Sequence, residues 1–281
     1  MDKNLEIQRS IMTTYRSRLW TKFIKAIKTY KLIAPNDKVC VCISGGKDSM
    51  IMAKLFEELH KHTEIEFDVK YLVMNPGYNK ENLKQIKKNL KILNIDAEIH
   101  DSNIFDVTAS LEKNPCYLCA RMRRGCLYDL AKQMGCNKIA LGHHYDDVIE
   151  TTLMNMLSSG SFQTMLPKLR SDNFKGMELI RPMYLIRERD IINFSNVHGL
   201  NFIRCACRLT ENIEKNNEVD VSSQRYKTKM LIQKLKEEYM PDVENHIFTS
   251  AMNVNVDMIL GYKKDGKKYS FVEECETKKK N

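Results

Sequence analysis

The sequence predicts an α/β chain built on a doubly wound, mostly parallel sheet. Three observations carry this. Short apolar runs alternate with segments of helical periodicity from residue 38 to residue 198, the pattern of successive βαβ units. Two glycine-bearing turns, at Gly45-Gly46 and at Gly142, follow the first and fourth apolar runs, and open sheets bind ligands at such carboxyl ends of strands. The chain has 281 residues, 43% of them hydrophobic, enough for one sizeable core with small appendages.

Taken in order, residues 4–31 read as one amphipathic helix. Ile7, Ile11, Tyr15, Leu19, Phe23 and Ile27 recur every four residues between Lys and Arg. Pro35-Asn36-Asp37 ends it. Lys38–Ile43 is a buried strand, 44–49 a tight turn, and the stretch from Met50 through Leu59 a helix. Strands follow at 67–74, 97–100, 138–141 and 179–181, and helices at 80–93, 118–134, 146–157 and 188–198. Residues 101–117 read as a polar connection. Two more helices are expected at 228–239 and 242–254, and the last ten or so residues are expected to be loosely held. The domain expectation is therefore an N-terminal helix over 1–36, a nucleotide-binding catalytic domain over 37–220, and a helical segment with a basic tail over 221–281.

Composition narrows the function. A formal net charge of +9 makes a polyanion, RNA or DNA first, the expected partner. No apolar run approaches the roughly 20 residues that a membrane span needs. The first 30 residues contain no signal-peptide core, so the expected location is the cytoplasm. There an odd count of nine cysteines speaks against a disulfide scaffold. Cys40 and Cys42 sit in the first apolar run and read as small core residues. Cys126 and Cys136 read as structural, and Cys275 lies in the polar tail. Cys116, Cys119, Cys205 and Cys207 need another explanation.

The string Ser44-Gly45-Gly46-Lys47-Asp48-Ser49 lies between strand and helix. Two glycines let the backbone turn tightly and approach a ligand. The next helix offers unpaired N–H groups and a partial positive charge to phosphate. Ser44 and Ser49 add hydroxyls, Lys47 a cation, and Asp48 a carboxylate for Mg²⁺. The spacing is shorter than that of a P-loop and suits pyrophosphate. This string resembles the Ser-Gly-Gly-x-Asp-Ser/Thr signature of the PP-loop ATP pyrophosphatase superfamily. The resemblance implies a Rossmann-like fold, ATP cleaved between its α and β phosphates, and an adenylated intermediate, with Lys47, Asp48 and Ser49 as the catalytic candidates.

Gly142-His143-His144-Tyr145-Asp146-Asp147 follows the fourth strand. Asp146 is placed to cap the next helix. The His pair with two Asp invites a metal-site reading, but adjacent side chains point apart. The string is similar to the second motif of PP-loop enzymes that modify tRNA. By that likeness Gly142 and Asp147 belong to the ATP site, while His143 and Asp146 orient the loop.

Cys116-Tyr-Leu-Cys119 is a CxxC, and Cys205-Ala206-Cys207 lies far downstream. Their chemistry suits zinc, a redox disulfide or an iron–sulfur cluster, and composition leaves all three open. The stretch Cys116–Gly125, with Leu166-Pro-Lys-Leu169 and Ile180-Arg-Pro-Met-Tyr184, resembles the tRNA 2-thiocytidine synthetase family over residues 5–255. That likeness implies a [4Fe-4S] cluster held by Cys116, Cys119 and one of Cys205 and Cys207, with sulfur carried on the open iron. It also implies a homodimer, and sulfur from a cysteine desulfurase or from sulfide. The chain departs from the family's Pro-Cys-x-x-Cys at Arg204-Cys-Ala-Cys-Arg208, where Cys205 aligns without a gap.

Arg121, Arg123 and Arg124 follow the CxxC and are the candidate contacts to the tRNA backbone, or to ATP phosphate. Lys168, Arg170, Arg187 and Arg189 are expected to extend a positive surface, and Tyr117, Tyr145 or Phe162 to stack on an unpaired base. The expected function is ATP-dependent 2-thiolation of an anticodon-loop cytidine. Alternatives are a PP-loop enzyme thiolating a tRNA uridine or a small molecule, and a non-catalytic nucleotide- and cluster-binding redox sensor.

Overall fold

The computed structural model describes residues 2–109, 115–203 and 223–272; of residues 106, 108, 109 and 115–117 it describes the backbone alone. Cys205, Cys207 and the tail expected to be loosely held, beyond residue 272, lie outside it. The chain divides into two compact units. Residues 1–148 and 165–227 form the first, which contains the sheet; residues 149–164 and 228–281 form the second.

The six-stranded sheet runs in the order β3-β2-β1-β4-β6-β5. Strands β1 (Lys38–Ile43), β2 (Asp68–Asn75), β3 (Ala97–Asp101), β4 (Lys138–Ala140) and β6 (Glu178–Ile180) are parallel. The short strand β5 (Lys168–Arg170) was not anticipated; it pairs antiparallel with β6. The chain leaves β1 towards β2 on one side and returns to β4 on the other. The carboxyl ends of β1 and β4 therefore flank a topological switch point, where such sheets open a crevice.

Strand alternation divides the core between the two faces. Val39, Val41 and Ile43 pack with α3 (Lys47–His62), α4 (Lys80–Leu93), α8 (Glu188–Val197) and the N-terminal helices. Cys40 and Cys42 pack on the other face with Ile139, Leu179 and, from α6 (Pro115–Gln133), Tyr128 and Ala131. These two cysteines are core residues, as expected. Cys136 joins them; its hydrogen bond with Cys40, and then burial, push its thiol pKa well above the ordinary range.

The helix expected over 4–31 is interrupted. Helix α1 spans Lys3–Met12 and α2 spans Thr21–Thr29, and a π turn at Arg16–Trp20 lies between them. The cause is the spacing of the apolar residues. A strict four-residue repeat overshoots an α-helical turn by about 40° per step, which would carry Ile27 off the face that holds Ile7. A wider turn corrects the phase. The Tyr15 N–H donates to Ser10 O, five residues back, at 2.9 Å. All six residues of the repeat stay buried.

The expected connection at 101–117 contains a further helix, α5 (Ile104–Ala109). Helix α6 starts at Pro115, three residues before the expected start at 118. Proline suits a first helical position because its missing N–H would have had no partner there. The CxxC thus lies inside the first turns of α6 rather than ahead of it. Helix α7 (Tyr145–Ser159) follows β4, and α9 (Gln224–Glu238) and α10 (Val243–Ser250) lie near the end of the chain. Strands β7 (Gly261–Lys264) and β8 (Lys267–Ser270) form a hairpin that the charged sequence there concealed. Its turn residues Asp265 and Gly266 have φ of 51° and 75°, the left-handed pair that a two-residue hairpin loop needs.

Candidate functional site

The turn after β1 is braced from inside. The Ser49 hydroxyl donates to Gly46 O at 3.0 Å and accepts from the Ser44 N–H at 3.1 Å. The Ser44 hydroxyl lies 3.1 Å from that of Ser49. Tyr78 donates its hydroxyl to Ser44 O at 2.9 Å. Gly45 has φ of 83°, and a Cβ there would lie 2.7 Å from Ile86 Cγ1 and from Ile203 Cδ1. Only glycine fits. Gly46 caps α3 without a side-chain hydrogen bond, which leaves the first-turn N–H groups of the helix to a ligand.

The turn after β4 presses against this one. A Cβ on Gly142 would lie 3.0 Å from Ser49 N and 3.1 Å from Asp48 C. Both neighbours are backbone, so neither can yield. The absence of a side chain at residue 142 is what brings the two turns together.

Charged residues link the turns. Lys47 Nζ bonds Asp48 Oδ2 at 3.1 Å and Glu188 Oε1 at 3.0 Å. Burial works against the ammonium, but Asp48 and Glu188 more than offset it, and its pKa lies above the ordinary lysine value. The Glu188 N–H donates to Asp146 Oδ2 at 2.6 Å, and Arg187 pairs with Asp146 at 3.0 Å while lying over the Tyr145 ring. Asp147 accepts from the His144 N–H at 3.0 Å. It is therefore Asp147, rather than Asp146 as expected, that caps α7, by reaching back to the residue before the helix. Its other oxygen accepts from Arg225 at 2.9 Å.

These turns and one face of α6 enclose a cleft of about 380 Å³. Ser44, Asp48, Ser49, Gly142, His143 and Asp147 line it, as do Arg123 and Arg124. Asp48 Oδ1 and His143 Nδ1 are buried without a hydrogen-bond partner; His144 Nε2, at 3.7 Å from Asp48 Oδ1, is too far to bond. Burial raises the Asp48 carboxyl above the ordinary range, against the pull of His144 and Lys47. A divalent cation at Asp48 would complete an oxygen that now lacks a partner. Burial, and then Arg181, lower the His143 pKa to about 4, so its ring is neutral near pH 7.

The sequence expectations converge here in large part. Ser44, Gly45, Gly46, Lys47, Asp48, Ser49, Gly142 and Asp147 belong to the two abutting turns, and Arg123 and Arg124 face the same cleft. Arg121 faces a neighbouring groove. Cys119 is half-buried one residue before Ala120, which lines the cleft. Two members of the expected positive surface are otherwise engaged: Arg187 is held by Asp146, and Lys168 bonds Lys31 O and Glu178. Among the described residues no group of three or more His, Cys, Asp and Glu is arranged to hold a metal ion. Glu188, Arg225, Tyr78 and Arg181 were not singled out for the site. The contacts of Tyr78, Arg225 and Glu188 span 34, 78 and 141 residues of sequence, and the strand order brings them in; Arg181 bonds Leu166 O, 15 residues away.

A glycine turn leading into a helix, closed by a second glycine turn at the switch point, defines an α/β nucleotide-phosphate site. The chain matches the family profile of the PP-loop domain over residues 15–217. It is 32% identical over 243 residues to a tRNA-cytidine(32) 2-sulfurtransferase of Citrifermentans bemidjiense, covering 85% of this chain and 91% of that protein. It is 37% identical over 239 residues to tRNA-cytidine(32) 2-sulfurtransferase 1 of Francisella philomiragia, covering 82% and 87%. Among solved structures it resembles the U34-tRNA thiolase NcsA of Methanococcus maripaludis, with a TM-score of 0.62 and 20% identity over 85% of this chain and 80% of that one; this likeness concerns the fold. The chain thus belongs to the PP-loop family, in its tRNA-cytidine(32) 2-sulfurtransferase branch.

Proposed function

We propose that this chain is an ATP-dependent tRNA sulfurtransferase that replaces the C2 oxygen of an anticodon-loop cytidine with sulfur. The observation that carries the reading is the cleft itself. It joins a pyrophosphate-sized turn to the arginine face of the helix that begins with the CxxC.

The Ser44–Ser49 turn and the first N–H groups of α3 receive the phosphates, and Asp48, whose Oδ1 has no partner, would hold a Mg²⁺ that offsets their charge. The cytidine C2 oxygen attacks the α-phosphorus and pyrophosphate leaves, so an inert oxygen becomes part of a leaving group. Lys47, Arg123 and Arg124 offset the charge that develops on the phosphates. Sulfur then adds at C2 and AMP departs with the oxygen. The neutral His143 ring, with Nδ1 unpartnered, is placed to take a hydrogen bond from the base or give one.

The residues present fit an iron–sulfur cluster. Cys116 and Cys119 lie three residues apart in the first turns of α6. Ile203, against which a Gly45 Cβ would collide, precedes Cys205 by two residues, about 3.8 Å each between Cα atoms. Cys116, Cys119 and one of Cys205 and Cys207 would hold a [4Fe-4S] cluster, which would supply an open iron to carry sulfur. The sulfur source is sulfide, or the persulfide of a cysteine desulfurase together with a thiol reductant that supplies two electrons, and the working location is the cytoplasm. No described helix is long and apolar enough to cross a membrane.

The test is anaerobic turnover of the full chain, reconstituted with iron and sulfide, on a tRNA with cytidine in the anticodon loop. With ATP and sulfide, mass spectrometry of the digested tRNA should show 2-thiocytidine, and pyrophosphate release should depend on tRNA. Pyrophosphate released equally without tRNA would point to a small-molecule acceptor. ATP and iron binding with no pyrophosphate at all would point to a sensor.

A further inference from the structure

Helix α6 has two working faces. Residues 120, 123, 124 and 127 line the nucleotide cleft. Residues 120, 121, 124, 125 and 128 line a second groove of about 460 Å³, whose opposite wall is 169–174, the end of β5 and the loop after it. Ala120 and Arg124 belong to both.

The groove is cationic. Arg121 and Arg124 project from the helix, and Arg170 faces them from β5, 90% exposed and only 3.5 Å from Glu178. Asp172 is the one carboxylate in the lining. Arg181, close enough to Arg124 to feel its charge, is 7% exposed, with Nε lacking any hydrogen-bond partner. Burial, and then Arg124, lower its pKa to about 10. Among the described residues none of Arg121, Arg123, Arg124 and Arg181 pairs with a carboxylate. A buried cation and three nearby ones without counter-ions are costly unless an anion is to join them. The floor is apolar, with Tyr128 and Phe174 stacked at 5.0 Å. Gly125 leaves the middle open: a Cβ there would meet nothing within 4 Å.

ATP in the cleft does not account for Arg121 and Arg170, which lie on the far side of α6. A ligand that crosses the helix at Ala120 and Arg124 carries anionic charge at regular intervals, as a nucleic acid strand does. We infer that this second groove binds the RNA backbone next to the reacting nucleotide, so that the strand passes over α6 with one base in the cleft. The inference rests on the tRNA reading of the site and adds where the strand runs. Arg121 and Arg170 contact phosphate, and Arg124 serves both sides.

The test is a binding titration of the full chain with the unmodified tRNA, without turnover, at several salt concentrations, beside binding of a non-hydrolysable ATP analogue. Gly125→Glu and its uncharged isostere Gly125→Gln occupy the same space. The Glu variant should bind tRNA about tenfold more weakly than the Gln variant, and ATP analogue binding should be unchanged in both. Arg121→Ala with Arg170→Ala should lower the slope of log affinity against log salt by about two. Equal tRNA affinity of the Glu and Gln variants, with an unaltered salt slope in the double Ala variant, overturns the inference. So does a loss of thiolation confined to reactions fed by a desulfurase, since the groove would then dock the donor protein. If the wild type binds tRNA but never thiolates it, the proposed reaction fails while the titration still decides the groove.

Discussion

The two turns of the site owe their contact to single atoms. Gly142 has backbone on the side where a Cβ would go, 3.0 Å from Ser49 N. Gly142→Ala should therefore push the second turn off the first, with a loss of about 1–3 kcal/mol in stability and a larger loss in nucleotide affinity. Denaturant unfolding and titration with an ATP analogue measure the two. His143 predicts a pH dependence. Its ring takes a proton near pH 4 in the folded chain, against 6.5 ordinarily, so between those values the unfolded state binds more protons. Stability is complete above about pH 6.5 and declines as the pH falls towards 4. In His143→Gln the melting temperature should change less across that window. Reading at this scale identified the residue types of both turns. The roles of Ser49 as a brace and of Asp147 as a cap depend on distances that no string of letters contains.

Among the elements, the N-terminal pair of helices shows how a repeat selects its own geometry. Six residues at strict four-residue spacing stay on one buried face because a π turn separates α1 from α2. Deleting Thr14 would rotate Ile7 and Ile11 by about 100° relative to Leu19 and Phe23. The expected result is a markedly lower melting temperature, whereas Thr14→Ala should be nearly silent. Helix α3 carries a buried ion cluster: Lys54, fully buried, lies 2.8 Å from Glu58 and 2.5 Å from Glu57 and donates to Asn4 of α1 at 2.7 Å. Lys54→Met leaves the fully buried Glu58 with no ammonium closer than Lys61 at 3.6 Å and should destabilise the chain by about 3–5 kcal/mol, measured by urea unfolding. The apolar periodicity made most of the helices and all five parallel strands legible. It missed β5 and the β7–β8 hairpin, because three- and four-residue strands with Lys, Arg and Tyr side chains show no alternation of burial.

For the whole molecule, the excess of positive charge marked a polyanion partner without saying where it sits. The fold distributes that charge: Lys47 is matched by carboxylates, while among the described residues the arginines of α6 are not. In the second unit Met252, Val254, Val256, Met258 and Leu260 are all exposed, the last by 87%. An apolar run of this kind commonly marks an interface, and we propose that the homodimer implied by the family resemblance forms here. Sedimentation should then give twice the chain mass, and Leu260→Glu should shift the species to the monomer. An unaltered sedimentation coefficient in that variant would place the contact elsewhere.

By itself the sequence determined the α/β class, the phosphate turn, the second glycine turn and the cysteine pair at 116 and 119. Each is a local matter: periodicity, a steric demand for glycine or a spacing within one helical turn decides it. The tertiary structure alone decided which charged residues meet around the two turns. Lys47 and Glu188 are 141 residues apart, and Asp147 and Arg225 are 78 apart. Their meeting follows from the strand order that sets β4 beside β1, and that order is chosen by how all the helices together cover the two faces of one sheet.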